Sequence, residues 1–288
     1  MDQVMRECPA TRVTARTKAW WRPLAFLVVG GCMPPSWGAA ALLHPSRRAL
    51  MEKPPLPAED VVIPSDGVVL KGWRFRAQGE RRGTIVYLHG VADNRASVAG
   101  VAKRYVPRGY DVLAYDSRAH GNSTGEACTY GYYEKQDLAR ALDLLAVPSV
   151  SIIGVSLGAA VGIQAAAEDS RIGRVVAIAS FSDLRAIASD RAPFFASAAN
   201  VREALSIAEQ QGHFVVDETS PVRAAARLTV PVLLIHGALD QETTPAHSQR
   251  ILQALKEPKR LLLLPKSGHA VALDEATWRI IDAWLTPG

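Results

Sequence analysis

Four stretches of this chain are apolar almost without a break and end on small or polar residues. They are GTIVYLHG (83–90), VSIIG (150–154), GRVVAIAS (173–180) and VPVLLIHG (230–237). Uninterrupted apolar runs of this length read as strands covered on both faces. YDVLAYD (110–116) and KRLLLLP (259–265) extend the series. Helix-compatible stretches fall between them, at about 96–108, 132–146, 157–168, 245–255 and 274–285. DVVIP (60–64) and VVLKGWRF (68–75) flank Ser65-Asp66-Gly67, a hairpin signal with Asp-Gly at the turn. The alternation predicts an α/β fold: a mostly parallel central sheet, helices on both faces and an antiparallel edge. Ligands of such sheets bind at the carboxyl ends of the strands, so the residues just after each strand carry the interest.

One of these is Ser156, in VSIIGVSLGAAVG (150–162). A sharp strand-to-helix turn crowds its neighbours. Gly154 and Gly158 remove the side chains that would clash, which pushes the serine into the open beside a helix N-terminus. Gly-x-Ser-x-Gly also arises by chance; the strand before it and the small-residue helix after it favour the functional reading.

A serine hydroxyl needs a base. Of the seven histidines, His269 in PKSGHAVAL follows the RLLLL strand and precedes a helix, so it falls on the same sheet edge. His89 and His236 each precede a strand-terminal glycine and read as structural. The base needs an acid to fix its tautomer. Asp240 follows the strand before the histidine's own, giving the order Ser156, Asp240, His269. Asp183 is the runner-up, with helix capping as its alternative role, and Glu242 is a weaker rival. The N–H groups of Leu157 and Val91 are the candidate oxyanion donors.

Charge narrows the partners. The 288 residues carry a formal +5, but Arg6, Arg12, Arg16, Lys18 and Arg22 against Asp2 and Glu7 leave only +2 on the remaining 266. A nearly neutral body argues against a nucleic-acid surface. Cys8, Cys32 and Cys128 show no metal-ligand or disulfide spacing. No HExxH or strand-following Gly-x-Gly-x-x-Gly is present, so no metal and no cofactor is implied.

The basic tail (1–22) precedes an uncharged apolar stretch read as a signal or membrane-anchor segment (23–44). A membrane helix from about Leu24, a signal cleaved near Ala39-Ala40-Ala41 and a lipoprotein signal at Val29-Gly30-Gly31-Cys32 all fit. A buried helix of the fold is the blander reading. A proline-rich connector (45–59) then leads into the catalytic domain (60–288). This layout makes the protein membrane-anchored or exported, with the domain extracytoplasmic.

Residues 181–219 look like a small helical lid, with a helical stretch near 201–210. Its Phe194 and Phe195 either shape the acyl pocket or pack the lid onto the sheet. The aromatics of YGYYE (130–134) read as structural.

The motifs YLHGVADNR, YDSRAHGNSTG, YGYYEKQDL, GVSLGAA, HGALDQETTP and SGHA together resemble the α/β-hydrolase fold superfamily from about residue 61 to 285. YGYYEKQDL and GVSLGAA look most like bacterial serine-peptidase-like or cinnamoyl-esterase-like hydrolases. Members of that group commonly carry an N-terminal membrane segment followed by a stretch similar to LLHPSRR here. Ala119 departs from the glycine usual at that point, which implies a local loop change. The resemblance implies a serine hydrolase acting on a carboxylic ester of a small-molecule or lipid-like acyl substrate. A peptidase or acyltransferase on the same triad is the alternative, and a non-catalytic membrane-tethered binding domain a third.

Overall fold

The computed structural model describes residues 34–286. In chain order these form α1 (Pro35–Leu43), β1 (Glu59–Ser65), β2 (Val68–Phe75), β3 (Gly83–Leu88), α2 (Ala99–Tyr105), β4 (Tyr110–Tyr115), α3 (Glu134–Leu145), β5 (Val150–Val155), α4 (Leu157–Ala166), β6 (Ile172–Ile178), α5 (Leu184–Asp190), α6 (Ala198–Gly212), α7 (Pro221–Ala225), β7 (Val232–Gly237), α8 (Pro245–Ala254), β8 (Lys259–Leu264) and α9 (Glu275–Leu285). The strands make one eight-stranded sheet in the order β1-β2-β4-β3-β5-β6-β7-β8. β1 and β2 form the expected antiparallel hairpin, and β2 also runs antiparallel to β4; every other pairing is parallel.

Side chains alternate across a strand, so each apolar run feeds two cores. Ile152, Val175, Ala177 and Leu234 enter one core, shared with α3, α4 and α6. Ile153, Val176, Leu233 and Ile235 enter the other, shared with α2 and α9. This is why the central strands carry no polar alternation. The stretch expected as one helix at 96–108 is divided into a 3-10 turn, α2 and a second 3-10 turn holding Pro107. Proline's missing N–H and ring stop an α-helix there.

The N-terminal boundary differs from the sequence expectation. Residues 23–33 of the signal or anchor segment lie outside the described residues, but its last part is α1, inside the domain. Ala39 and Leu43 are buried in the first core with Leu205 and Ala208 of α6. The two helices meet through small residues: a Cβ on Gly38 would lie 3.1 Å from that of Ala204, and one on Gly212 would lie 2.8 Å from Leu43 Cδ2. Residues 45–58, expected as a free connector, run along the domain. Arg47 donates to the carbonyls of Ser123 (2.6 Å) and Gly125 (2.7 Å), and Leu50, Leu56 and Ala58 pack on the second core. No helix among the described residues is long and apolar enough to cross a membrane.

Ala119 has φ 62°, the left-handed region that glycine enters without a Cβ penalty. The departure from the expected glycine is carried as local backbone strain. Asp183 accepts from the Ala186 N–H at 2.7 Å and so caps α5, its alternative role.

Candidate active site

The turn from β5 to α4 is shaped by two close approaches. A Cβ on Gly154 would fall on the Gly158 carbonyl oxygen, and one on Gly158 on the Leu88 carbonyl oxygen. Backbone fits where side chains cannot, and β5, α4 and β3 meet there. Ser156 itself sits at φ 50° and ψ −108°, a conformation that costs a residue bearing a Cβ about 1–3 kcal/mol. It is held by its N–H donating to the Ile178 carbonyl (2.8 Å) and by the Gly158 N–H donating to the His89 carbonyl (3.1 Å).

The loop after β3 lies against this turn: a Cβ on Gly90 would lie 3.6 Å from Ser156 Cβ. His89 braces the loop. A carbonyl only accepts, so its Nδ1–H donates to the Gly90 carbonyl (2.7 Å), which leaves Nε2 to accept from the Ser117 N–H (2.9 Å). Neither the Val91 N–H nor the Leu157 N–H donates to an acceptor among the described residues.

Asp240 and His269 come together at the ends of β7 and β8. The loop carrying His269 crosses the end of β7 so closely that a Cβ on Gly237 would fall on the Gly268 carbonyl oxygen. The Leu239 N–H donates to the Ser267 carbonyl at 2.9 Å and ties the two loops. Asp240 is buried. Its Oδ1 accepts from the N–H groups of Glu242 and Thr243, both at 2.9 Å. Its Oδ2 accepts from His269 Nδ1 at 2.8 Å. The carboxylate fixes the proton on Nδ1 and leaves the Nε2 lone pair free, the tautomer a general base needs. Glu242 is exposed and contributes its backbone rather than its carboxylate.

The structure thus joins Asp240 to His269 and sets Ser156 beside the loop bearing Val91. It does not join Ser156 to His269: the serine hydroxyl makes no hydrogen bond among the described residues. Catalytic hydrogen bonds in substrate-free sites are often long and tighten on binding. Phe194 is fully exposed and Phe195 is 57% exposed, their rings edge to face at 5.3 Å, so neither lines an enclosed pocket. They extend from the loop between α5 and α6 because nothing apolar faces them. The lid is fixed by the apolar packing of Leu184, Ile187, Leu205 and Ala208 in the first core and by polar contacts absent from the sequence reading. Arg191 donates to the Glu242 carbonyl (3.1 Å) and to Thr243 Oγ1 (2.9 Å), clasping the end of α5 to the acid loop. Tyr130 is buried in the first core, edge to face with Phe181 at 6.0 Å, which is a packing role.

Three buried histidines near these loops resist protonation. Burial lowers the pKa of His89 below its ordinary 6.5. Burial, then the neighbouring His89, brings His120 to about 4. Burial, then Arg250, lowers His247. Below pH 6.5 the unfolded chain takes up protons that the folded protein refuses, so stability falls as pH drops from about 6.5 to about 4. His120 alone accounts for up to about 3 kcal/mol across that window. Thermal unfolding followed from pH 7 to 5 is expected to show a falling midpoint; a flat midpoint contradicts it.

Comparison with known proteins agrees with the topology. A family model described as alpha/beta hydrolase fold matches residues 83–201. The Bacillus subtilis protein YqkD is 29% identical over 225 residues, covering 73% of this chain and 72% of YqkD. Escherichia coli YfhR is 26% identical over 234 residues, covering 77% of this chain and 76% of YfhR. Among solved structures, the Pyrococcus furiosus esterase Pf2001 superposes with a TM-score of 0.69 at 23% identity, over 84% of this chain and 99% of the esterase. A Pyrococcus horikoshii acylaminoacyl peptidase superposes with a TM-score of 0.64 at 14% identity, over 81% of this chain and 42% of the peptidase. With its sheet order, its strained serine turn and these likenesses all in agreement, the chain has the α/β-hydrolase fold.

Proposed function

We propose that the protein is a serine hydrolase that cleaves carboxylic esters through an acyl-enzyme. The observation that carries this reading is the hydrogen bond from His269 Nδ1 to the buried Asp240, which leaves Nε2 as a base on the sheet edge where Ser156 is held in a strained turn. Ser156 Oγ forms a bond to the ester carbonyl carbon as its proton passes to His269 Nε2. The carbonyl oxygen takes the electron pair and is met by the N–H groups of Val91 and Leu157, each worth about 3 kcal/mol in sites of this kind. The oxyanion collapses, the C–O bond to the alcohol breaks, and His269 returns the proton to the leaving oxygen. Water then repeats the sequence against the acyl-enzyme, releasing the acid and restoring Ser156.

A peptidase reading is favoured by the fold neighbour that is an acylaminoacyl peptidase. The same groups also serve transfer to an alcohol acceptor. Purified protein offered p-nitrophenyl esters of graded acyl length, acylated peptides and acyl esters with added alcohol separates these. Ester cleavage without peptide cleavage or transfer is expected. Peptide cleavage or transfer at higher kcat/KM overturns the ester assignment. No turnover of any of them favours a non-catalytic binding role.

The sequence before Pro34 supports attachment to a membrane or export. Because Pro35–Leu43 is packed inside the domain, an anchor has to come from the chain before Pro34. Cell fractionation should place the full chain in the membrane fraction and a chain shortened to begin at residue 34 in the soluble one. Equal partition of the two contradicts the proposal.

A further inference from the structure

We infer that His236 is a positioning residue for the acid of this site: its Nε2–H fixes the Thr243 carbonyl, and with it the loop whose N–H groups hold the Asp240 carboxylate. The inference rests on the reading of Ser156, His269 and Asp240 just given and goes beyond it. His236 lies at the end of β7 and is fully buried. Its Nε2 is 2.6 Å from the Thr243 carbonyl oxygen and 3.2 Å from Asp240 Oδ2. A carbonyl only accepts, so Nε2 carries a hydrogen and donates it to Thr243; Asp240 Oδ2 lies alongside, and no hydrogen bond joins it to the ring. Nδ1 is 2.7 Å from Ser248 Oγ on α8, which holds the ring from its other side.

This completes the surroundings of the carboxylate. Oδ1 accepts from the N–H groups of Glu242 and Thr243, and Oδ2 from the Nδ1–H of His269, with the His236 ring 3.2 Å behind it. The carbonyl that His236 holds belongs to Thr243, the residue whose N–H holds Oδ1. Through that residue His236 sets the plane of the carboxylate and hence the direction in which His269 Nε2 points. A misplacement of about 1 Å at a reacting group costs about 100-fold in rate. Thr243 also receives Arg191 from the lid, so the same carbonyl-bearing residue joins α5 to this support.

The test uses the full chain and p-nitrophenyl butyrate. His236→Phe keeps the volume and removes the donor. His236→Gln can place an amide N–H at the level of Nε2. His236→Asn places one at the level of Nδ1, beside Ser248 and short of the Thr243 carbonyl. The Phe and Asn variants are expected to lose about 10- to 100-fold in kcat with KM unchanged, and the Gln variant to stay within about threefold of the parent. The low-field proton resonance of His269 Nδ1 should shift in Phe and Asn and persist in Gln. Should the Phe variant fail to fold, Asn against Gln decides. Parental kcat in Phe or Asn, or equal losses in Gln and Asn, overturns the inference. Fluorophosphonate labelling and Asp240→Asn are run alongside. A parent that is neither labelled nor active, or an Asp240→Asn variant as active as the parent, sinks the underlying reading and takes the inference with it. An active parent that depends on Asp240 isolates the fate of His236.

Discussion

Ser156→Ala is expected to lower kcat on a reactive ester by about five to six orders of magnitude, with KM little changed. The alanine keeps the left-handed turn, because only Oγ is removed and the backbone bonds to Ile178 and His89 remain. The amide donors of Val91 and Leu157 also remain, so a residual rate above that in water should persist. Serine and base act as a unit, so adding His269→Ala to Ser156→Ala should cost little more. A further hundredfold fall in the double variant would mean that His269 acts on something other than the Ser156 hydroxyl. Steady-state kinetics of the two single variants and the double variant read this directly.

Asp240→Asn is expected to lower kcat by about three to four orders of magnitude at neutral pH, and the site dictates why. Two backbone N–H groups, from Glu242 and Thr243, converge on Oδ1. An asparagine there must turn its carbonyl oxygen toward them, since the reverse sets amide hydrogens against amide hydrogens. Its NH2 group is then forced into the place of Oδ2, facing His269 Nδ1. A donor there requires Nδ1 to accept, which moves the imidazole proton to Nε2 and removes the lone pair that Ser156 needs. The geometry survives in outline while the tautomer is wrong, so Ser156 should remain accessible to a small reactive phosphonate at a much reduced rate. A pH–rate profile against the parent checks this. A variant within tenfold of the parent across pH 6–9 would place the acid elsewhere.

The sheet was legible in the sequence because a strand buried on both faces must be apolar throughout, and few other structures demand five such runs, β3 to β7. The serine turn was legible because two glycines at fixed spacing report close backbone approach, here between β5, α4 and β3. The pairing of Asp240 with His269 was legible from their places after neighbouring strands on the carboxyl edge. Helix α1 was not: an apolar, uncharged run satisfies a membrane and a protein core equally, and its seat against α6 depends on Gly38, Ala204 and Gly212, which are far apart in sequence. Phe194 and Phe195 invited a pocket role by composition, but exposure is set by the neighbours that α5 and α6 fail to supply. His236 was legible as structural from its place before Gly237. Its contact with Asp240 depends on how the loop from Ala238 to Thr243 doubles back, which side-chain periodicity does not encode.

The account stands on Ser156 being a nucleophile that His269 can reach despite the absence of a hydrogen bond between them at rest. Incubating the folded chain with a fluorophosphonate and mapping the adduct by mass spectrometry tests this most directly. The prediction is one stoichiometric adduct on the Ser156 peptide, formed fast in the parent and at least a hundredfold more slowly in His269→Ala. No adduct, an adduct on another residue, or a rate indifferent to His269 would contradict the account.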